Sequence, residues 1–225
     1  MPTLNNISVA GRPALELDSA KGLKAVIVPG KGAVCSSLVF QHGDRELELF
    51  HRANELDENP LGGRNPVLFP VVGRSYADGE IGRYRHQGQL YEIDIHGFAK
   101  DREWEIVQQS YDDQKASVTC EITSDASTRR AYPYDFQIQI EYTVQGTELT
   151  IRSMVKNTGA APMPFSLGFH PYFKAPLMAD VSNRSQCRIC IPAKSHYEMK
   201  ATVPTGNILP LDPALGAEQG YAVPD

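Results

Sequence analysis

An all-β, antiparallel architecture, either a sandwich or a barrel, is what this sequence predicts. Three observations carry that reading. Helical periodicity is scarce, short strand-like runs recur, and turn residues punctuate them at roughly 8–12-residue spacing. The clearest run is Phe136-Gln137-Ile138-Gln139-Ile140-Glu141-Tyr142. Its alternation is strict, so Phe136, Ile138, Ile140 and Tyr142 should face a core while Gln137, Gln139 and Glu141 face water.

The other elements follow in chain order. Leu23–Val28, 33–41 and 46–50 are β-rich and bounded by Gly, Pro or charges. Asp57-Glu58-Asn59-Pro60-Leu61-Gly62-Gly63 reads as a loop. Residues 82–95 read as a hairpin turning at His86-Gln87-Gly88-Gln89. Strands are expected at 103–109, 116–122, 136–144 and Glu148–Asn157, with Gln145-Gly146-Thr147 joining the last two. Cys187-Arg188-Ile189-Cys190-Ile191 also reads as a strand. Beyond Val203 the chain is rich in Pro and Gly, and no closing strand is evident. No repeat, low-complexity tract or linker divides the chain, so a single domain over residues 1–225 is expected.

A chain of 225 residues with 41% hydrophobic content can bury one sizeable core. The net charge of -5, with Lys and Arg scattered, argues against a nucleic-acid partner. Residues 1–10 lack a charged, apolar leader pattern, and no apolar run approaches membrane-spanning length. A cytoplasmic protein with no membrane partner is the expectation. Four cysteines fit packed, reduced thiols there. Cys187 and Cys190 form a Cys-x-x-Cys pair, but residues three apart on a strand face opposite sides. No second ligand pair accompanies them, so no metal site is expected.

Phosphate-binding loops, HExxH, EF-hand loops and a GxSxG elbow are all missing. What remains is cofactor-free acid–base chemistry. Two histidines stand in aromatic, glycine-rich settings: Asp94-Ile95-His96-Gly97-Phe98-Ala99 and Phe165-Ser166-Leu167-Gly168-Phe169-His170-Pro171-Tyr172-Phe173. Histidine can give or take a proton near neutral pH, glycine permits close approach to the backbone, and aromatic faces suit sugar rings. Taken singly, a histidine among aromatics is more often a packed core residue. A third segment strengthens the functional reading: Asn65-Pro66-Val67-Leu68-Phe69-Pro70-Val71-Val72-Gly73-Arg74 ends a buried-looking run in a guanidinium, whose donors could reach the mouth of a cleft. The structural alternative for Arg74 is a surface ion pair.

These three segments, in this order and spacing, resemble the aldose 1-epimerase (galactose mutarotase) superfamily. His96-Gly97-Phe98-Ala99-Lys100-Asp101-Arg102-Glu103-Trp104 extends the second of them. The resemblance covers most of the chain and implies a large twisted antiparallel β-sandwich whose concave face binds a monosaccharide, with or without a phosphate. It implies interconversion of α and β anomers by ring opening and closure, with no metal or other cofactor. By the same resemblance His170 would be the acid at the ring oxygen and His96 would polarise nearby oxygens. Arg74 would hold hydroxyls. Asn65 is a further candidate binding residue, and Arg102 and Asp101, which follow His96 closely in sequence, are weaker candidates for the same cleft.

One feature departs from the family. Its general base is a glutamate near the C-terminus, in a longer chain. After His170 only Asp180, Glu198, Asp212, Glu218 and Asp225 remain as acids, and none stands in a matching context. Glu103 and Asp101 do not match the base either. The expectation is a sandwich shortened at its C-terminal end, with weak or absent mutarotase activity and retained sugar binding. A homodimer, or a tail folded over the open sheet edge, would cover the unpaired backbone groups. The competing readings are a non-catalytic carbohydrate-binding protein of the same fold and a plain β-sandwich interaction domain.

Overall fold

The computed structural model describes residues 1–52, 64–178, 184–213 and 220–223. The chain divides into two compact units, Met1–Phe173 and Lys174–Asp225. The expected loop at residues 57–63 lies outside the described residues.

The first unit opens with five antiparallel strands in sequence order: β1 (Thr3–Val9), β2 (Arg12–Asp18), β3 (Leu23–Val28), β4 (Val34–His42) and β5 (Arg45–Glu48). Short pieces follow: β6 (Val67–Leu68), β7 (Tyr76–Ala77), β8 (Glu80–Ile81), and the hairpin β9 (Arg83–His86) with β10 (Gln89–Glu92). That hairpin turns at Gln87 and Gly88, both at positive φ, as a two-residue hairpin turn requires. A second meander follows: β11 (Glu105–Tyr111), β12 (Lys115–Thr123), β13 (Phe136–Gln145) and β14 (Glu148–Asn157). The last piece of the first unit is β15 (Gly168–Phe169), which pairs with β6.

The two meanders share one apolar core. Leu15, Leu17, Ala25, Ile27 and Leu38 of the first cluster with Val118, Cys120, Ile138, Ile140 and Tyr142 of the second. The alternation read from residues 136–142 is realised: Phe136, Ile138, Ile140 and Tyr142 are buried and the intervening polar residues are partly exposed. The Tyr142 hydroxyl donates to the Ala33 carbonyl at 2.9 Å, satisfying a buried phenol and joining the two layers. The first unit is an all-β sandwich.

In the second unit, β16 (Arg188–Ile189) pairs with β19 (Tyr221–Ala222), and β17 (Ser195–Lys200) with β18 (Val203–Pro210). The sequence reading missed β18. Its turn uses Ala201 and Thr202, both at positive φ, in place of the glycine or asparagine that usually marks such a turn. Pro204, Gly206 and Pro210 within it are poor strand formers. The strand expected at 187–191 shrinks to Arg188 and Ile189.

Candidate functional site

The three segments singled out in the sequence meet in the first unit. Leu68 pairs with Gly168 and Val67 with Phe169, which lays the first segment along the third. The His170 amide donates to the Pro66 carbonyl at 3.2 Å and the Ser166 amide to Pro70 at 2.8 Å. Phe69 bridges to Gly97, and its carbonyl accepts the amides of Phe98 and Ala99. Phe69 is fully buried, and its ring packs on Phe98, Tyr132, Phe136 and Phe165 at centroid distances of 5.1–6.2 Å. The site is therefore anchored on the core of the sandwich. Gly97 permits the close crossing: a β-carbon there would lie 2.1 Å from the Phe69 carbonyl oxygen.

His96 is nearly buried and sits at φ +64°, a left-handed conformation uncommon outside glycine, though histidine adopts it more readily than most side chains. Its turn is closed by the Gly97 amide donating to the Asp94 carbonyl at 2.9 Å. Two further bonds join it to Gly73. The His96 amide donates to the Gly73 carbonyl at 2.8 Å, and the Gly73 amide donates to His96 Nδ1 at 2.9 Å. Because Nδ1 accepts, the neutral ring carries its proton on Nε2 and is a hydrogen-bond donor there. Burial holds the His96 pKa below its ordinary value, and the nearby His170, Lys100 and Arg74 add to that effect.

The His170 ring stands edge-on to His96, with centroids 5.5 Å apart. Its other face stacks on Tyr172 at 4.5 Å and 17°. Tyr172 is clipped in place by its amide bond to Arg64 and by the His51 amide donating to its own carbonyl. The ring nitrogens of His170 have no hydrogen-bond partner among the described residues. His170 is thus oriented by stacking while its polar atoms stay open.

Arg74 is exposed, close enough to act on the charge of His96, and lines a cavity of about 570 Å³ with Gly97 and Phe98. It makes no ion pair or hydrogen bond among the described residues, so the surface ion pair weighed for it is not formed there. Asn65 is buried beside Cys35, and its side-chain oxygen has no hydrogen-bond partner among the described residues.

Arg102 is engaged elsewhere. Its guanidinium bonds Ser127 and reaches Asp125 at 3.5 Å, lies over the Phe98 ring, and lines a different cavity of about 330 Å³. Asp101 pairs with the buried Lys100. Among the C-terminal acids, Asp180, Glu218 and Asp225 lie outside the described residues, and Glu198 accepts bonds from Thr205 and Asn207. No carboxylate is hydrogen-bonded to either histidine among the described residues. No three His, Cys, Asp or Glu side chains converge as a metal site among them.

Sequence reasoning missed Gly73 and Tyr172 as partners of the histidines. Tyr172 had a signal, since residues i and i+2 of an extended segment share a face. The Gly73–His96 joint is a tertiary contact across 23 positions and had none.

The family model described as aldose 1-epimerase matches residues 13–218. The chain belongs to the aldose 1-epimerase family. Its curated relatives include YihR of Escherichia coli K12, 29% identical over 176 residues covering 74% of this chain and 51% of that one. The chromosomal LacX protein of Lactococcus lactis is 29% identical over 128 residues, covering 55% of this chain and 41% of that one. The chain thus spans about half or less of the length of these relatives.

Among solved structures, the Slr1438 protein of Synechocystis superposes with a TM-score of 0.73 at 28% identity, covering 92% of this chain and 68% of that one. A galactose mutarotase-like protein of Clostridium acetobutylicum gives a TM-score of 0.82 at 21% identity, covering 99% and 69%, and shares the fold. No helix among the described residues is long and apolar enough to cross a membrane.

Proposed function

We propose that this family member binds the ring form of a free aldose at the His96–His170–Arg74 site and interconverts its anomers. The single observation that carries the reading is the paired histidines, 5.5 Å apart. One is locked as a neutral donor, the other has open nitrogens, and an unpaired guanidinium lies close enough to act on the charge of the first.

The chemistry divides between them. As the C1–ring-oxygen bond breaks, protonated His170 donates to the ring oxygen. A base takes the C1 hydroxyl proton, and its electron pair forms the aldehyde. Rotation about C1–C2 and closure from the other face, with both proton transfers reversed, give the opposite anomer. His96 cannot supply the proton from Nδ1, because that nitrogen accepts from Gly73. Its Nε2–H donates to a sugar oxygen and stabilises developing negative charge. Arg74 donates to hydroxyls. No metal or nucleotide enters the scheme. No carboxylate among the described residues is hydrogen-bonded to either histidine, so the scheme assigns the base to no residue.

Saturation-transfer and exchange NMR on D-glucose and D-galactose test the reading. Binding with weak α/β exchange, slowed because the described residues offer no matching base, is the expected result. Binding without exchange would replace it with a carbohydrate-binding role on the same site. Neither binding nor exchange would remove both.

A further inference from the structure

The charged groups that line the Arg74 cavity do not all balance one another. Arg83 pairs with Glu80 at 2.9 Å and with Glu92 at 3.2 Å, so these three are occupied. Arg74 and Asp94 line the same cavity, which reaches the His96 turn through Ile95 and Gly97 and is lined by neither histidine. Neither makes an ion pair or a side-chain hydrogen bond among the described residues, to each other or to anything else. We propose that Asp94 is a substrate-binding residue of this site, accepting hydrogen bonds from a vicinal diol of the sugar while Arg74 donates to its oxygens. This rests on the sugar-binding reading above and adds an acceptor that the histidine–arginine set lacks.

The backbone holds the two groups in one frame. Arg74 follows Gly73, which is bonded to His96 twice. Asp94 begins the turn that carries His96, with its carbonyl bound by the Gly97 amide. Just before it, Ile93 is buried, with its amide bonded to the Gly82 carbonyl at 2.8 Å. An exposed aspartate is ordinarily a solvated charge. Here it is anchored on both sides, lines a cavity and is left with open lone pairs in the same cavity as an open cation. A polyol satisfies both groups at once. The carboxylate accepts from two adjacent hydroxyls, and these bonds strengthen as the ring displaces water. Asp94 thereby selects sugars by which neighbouring carbons carry hydroxyls.

The test is a mutant–substrate cycle on the full chain. Asp94→Ala and Asp94→Asn are compared with wild type for binding of D-glucose, D-galactose and the 2-, 3-, 4- and 6-deoxyglucoses, with circular dichroism as the fold control. The dissociation constant of a parent sugar should rise about 10–100-fold in Asp94→Ala, the usual worth of bonds to a charged acceptor. The deoxy sugar missing the contacted hydroxyl should bind wild type poorly and lose little more in the variant. Binding within about twofold of wild type, or an equal loss for every deoxy sugar, would overturn the assignment while leaving the sugar-binding reading intact. Wild type that binds neither parent sugar would overturn both.

Discussion

A histidine at φ +64° costs about 1 kcal/mol or more in backbone strain. At His96 two hydrogen bonds to Gly73 hold that conformation and fix the tautomer. Protonation would turn Nδ1 into a donor facing a donor. Burial, with the nearby His170, Lys100 and Arg74, resists the charge in the folded chain, so its His96 pKa lies below the ordinary 6.5. As pH falls below that value the unfolded chain binds the proton first. Stability from this group is present above about pH 6.5 and is lost as pH falls toward the lower folded value. Denaturant unfolding between pH 5 and 8 should show a steeper loss for wild type than for His96→Gln; identical slopes would show that His96 is not the coupled group. At His170 the expectation is kinetic. His170→Asn should slow anomer exchange by roughly 10²–10⁴-fold, the worth of a positioned acid, with a much smaller change in sugar affinity. Near-full exchange in that variant would remove His170 from the acid role.

At the scale of elements, the site depends on a crossing of two chain segments rather than on any long strand. Gly97 is at φ +69° with the Phe69 carbonyl where a side chain would be. Gly97→Ala should cost about 3 kcal/mol or more, combining backbone strain with a clash against backbone. Chemical denaturation measures it; a loss below about 1 kcal/mol would mean that the Phe69 segment gives way. Elements with strong local patterning were legible from sequence. Glu148–Asn157 is found as expected, and 136–144 extends by one residue. β18 was not legible, because its turn is made by Ala201 and Thr202 at positive φ, and no residue type announces that. Arg102 shows the converse. Closeness in sequence to His96 suggested a shared cleft, yet the chain turns between them through a short 3₁₀ segment, Ala99–Asp101, and Arg102 engages Asp125 and Ser127.

At the scale of the molecule, the shared core sets which thiols can react. Cys35 and Cys120 are buried, and burial pushes both pKa values up to about 12. Cys190 is exposed and Cys187 half-buried. A thiol reagent at pH 8 should label Cys190 first and leave Cys35 and Cys120 untouched until the sandwich unfolds. Rapid modification of all four in native buffer would contradict the packing described for the two layers. The same core carries the site, since Phe69 packs among its aromatic residues three positions after Pro66 in the segment that ends in Arg74.

The fold class was readable from residue order alone, because period-2 burial and turn chemistry are local. The sequence also singled out three segments that the fold brings together, because their residue types are those that acid–base and hydroxyl-binding chemistry needs, and their order is that of a known family. How those segments meet is a matter of tertiary structure. Which nitrogen of His96 holds the proton follows from an amide 23 residues away. The orientation of His170 follows from a stacked tyrosine. That Arg74 and Asp94 share a cavity while Arg102 lies in another follows from how the connecting turns pack. These are properties of contacts between distant residues, and hydrogen bonding and burial assign them only once the chain has closed on itself.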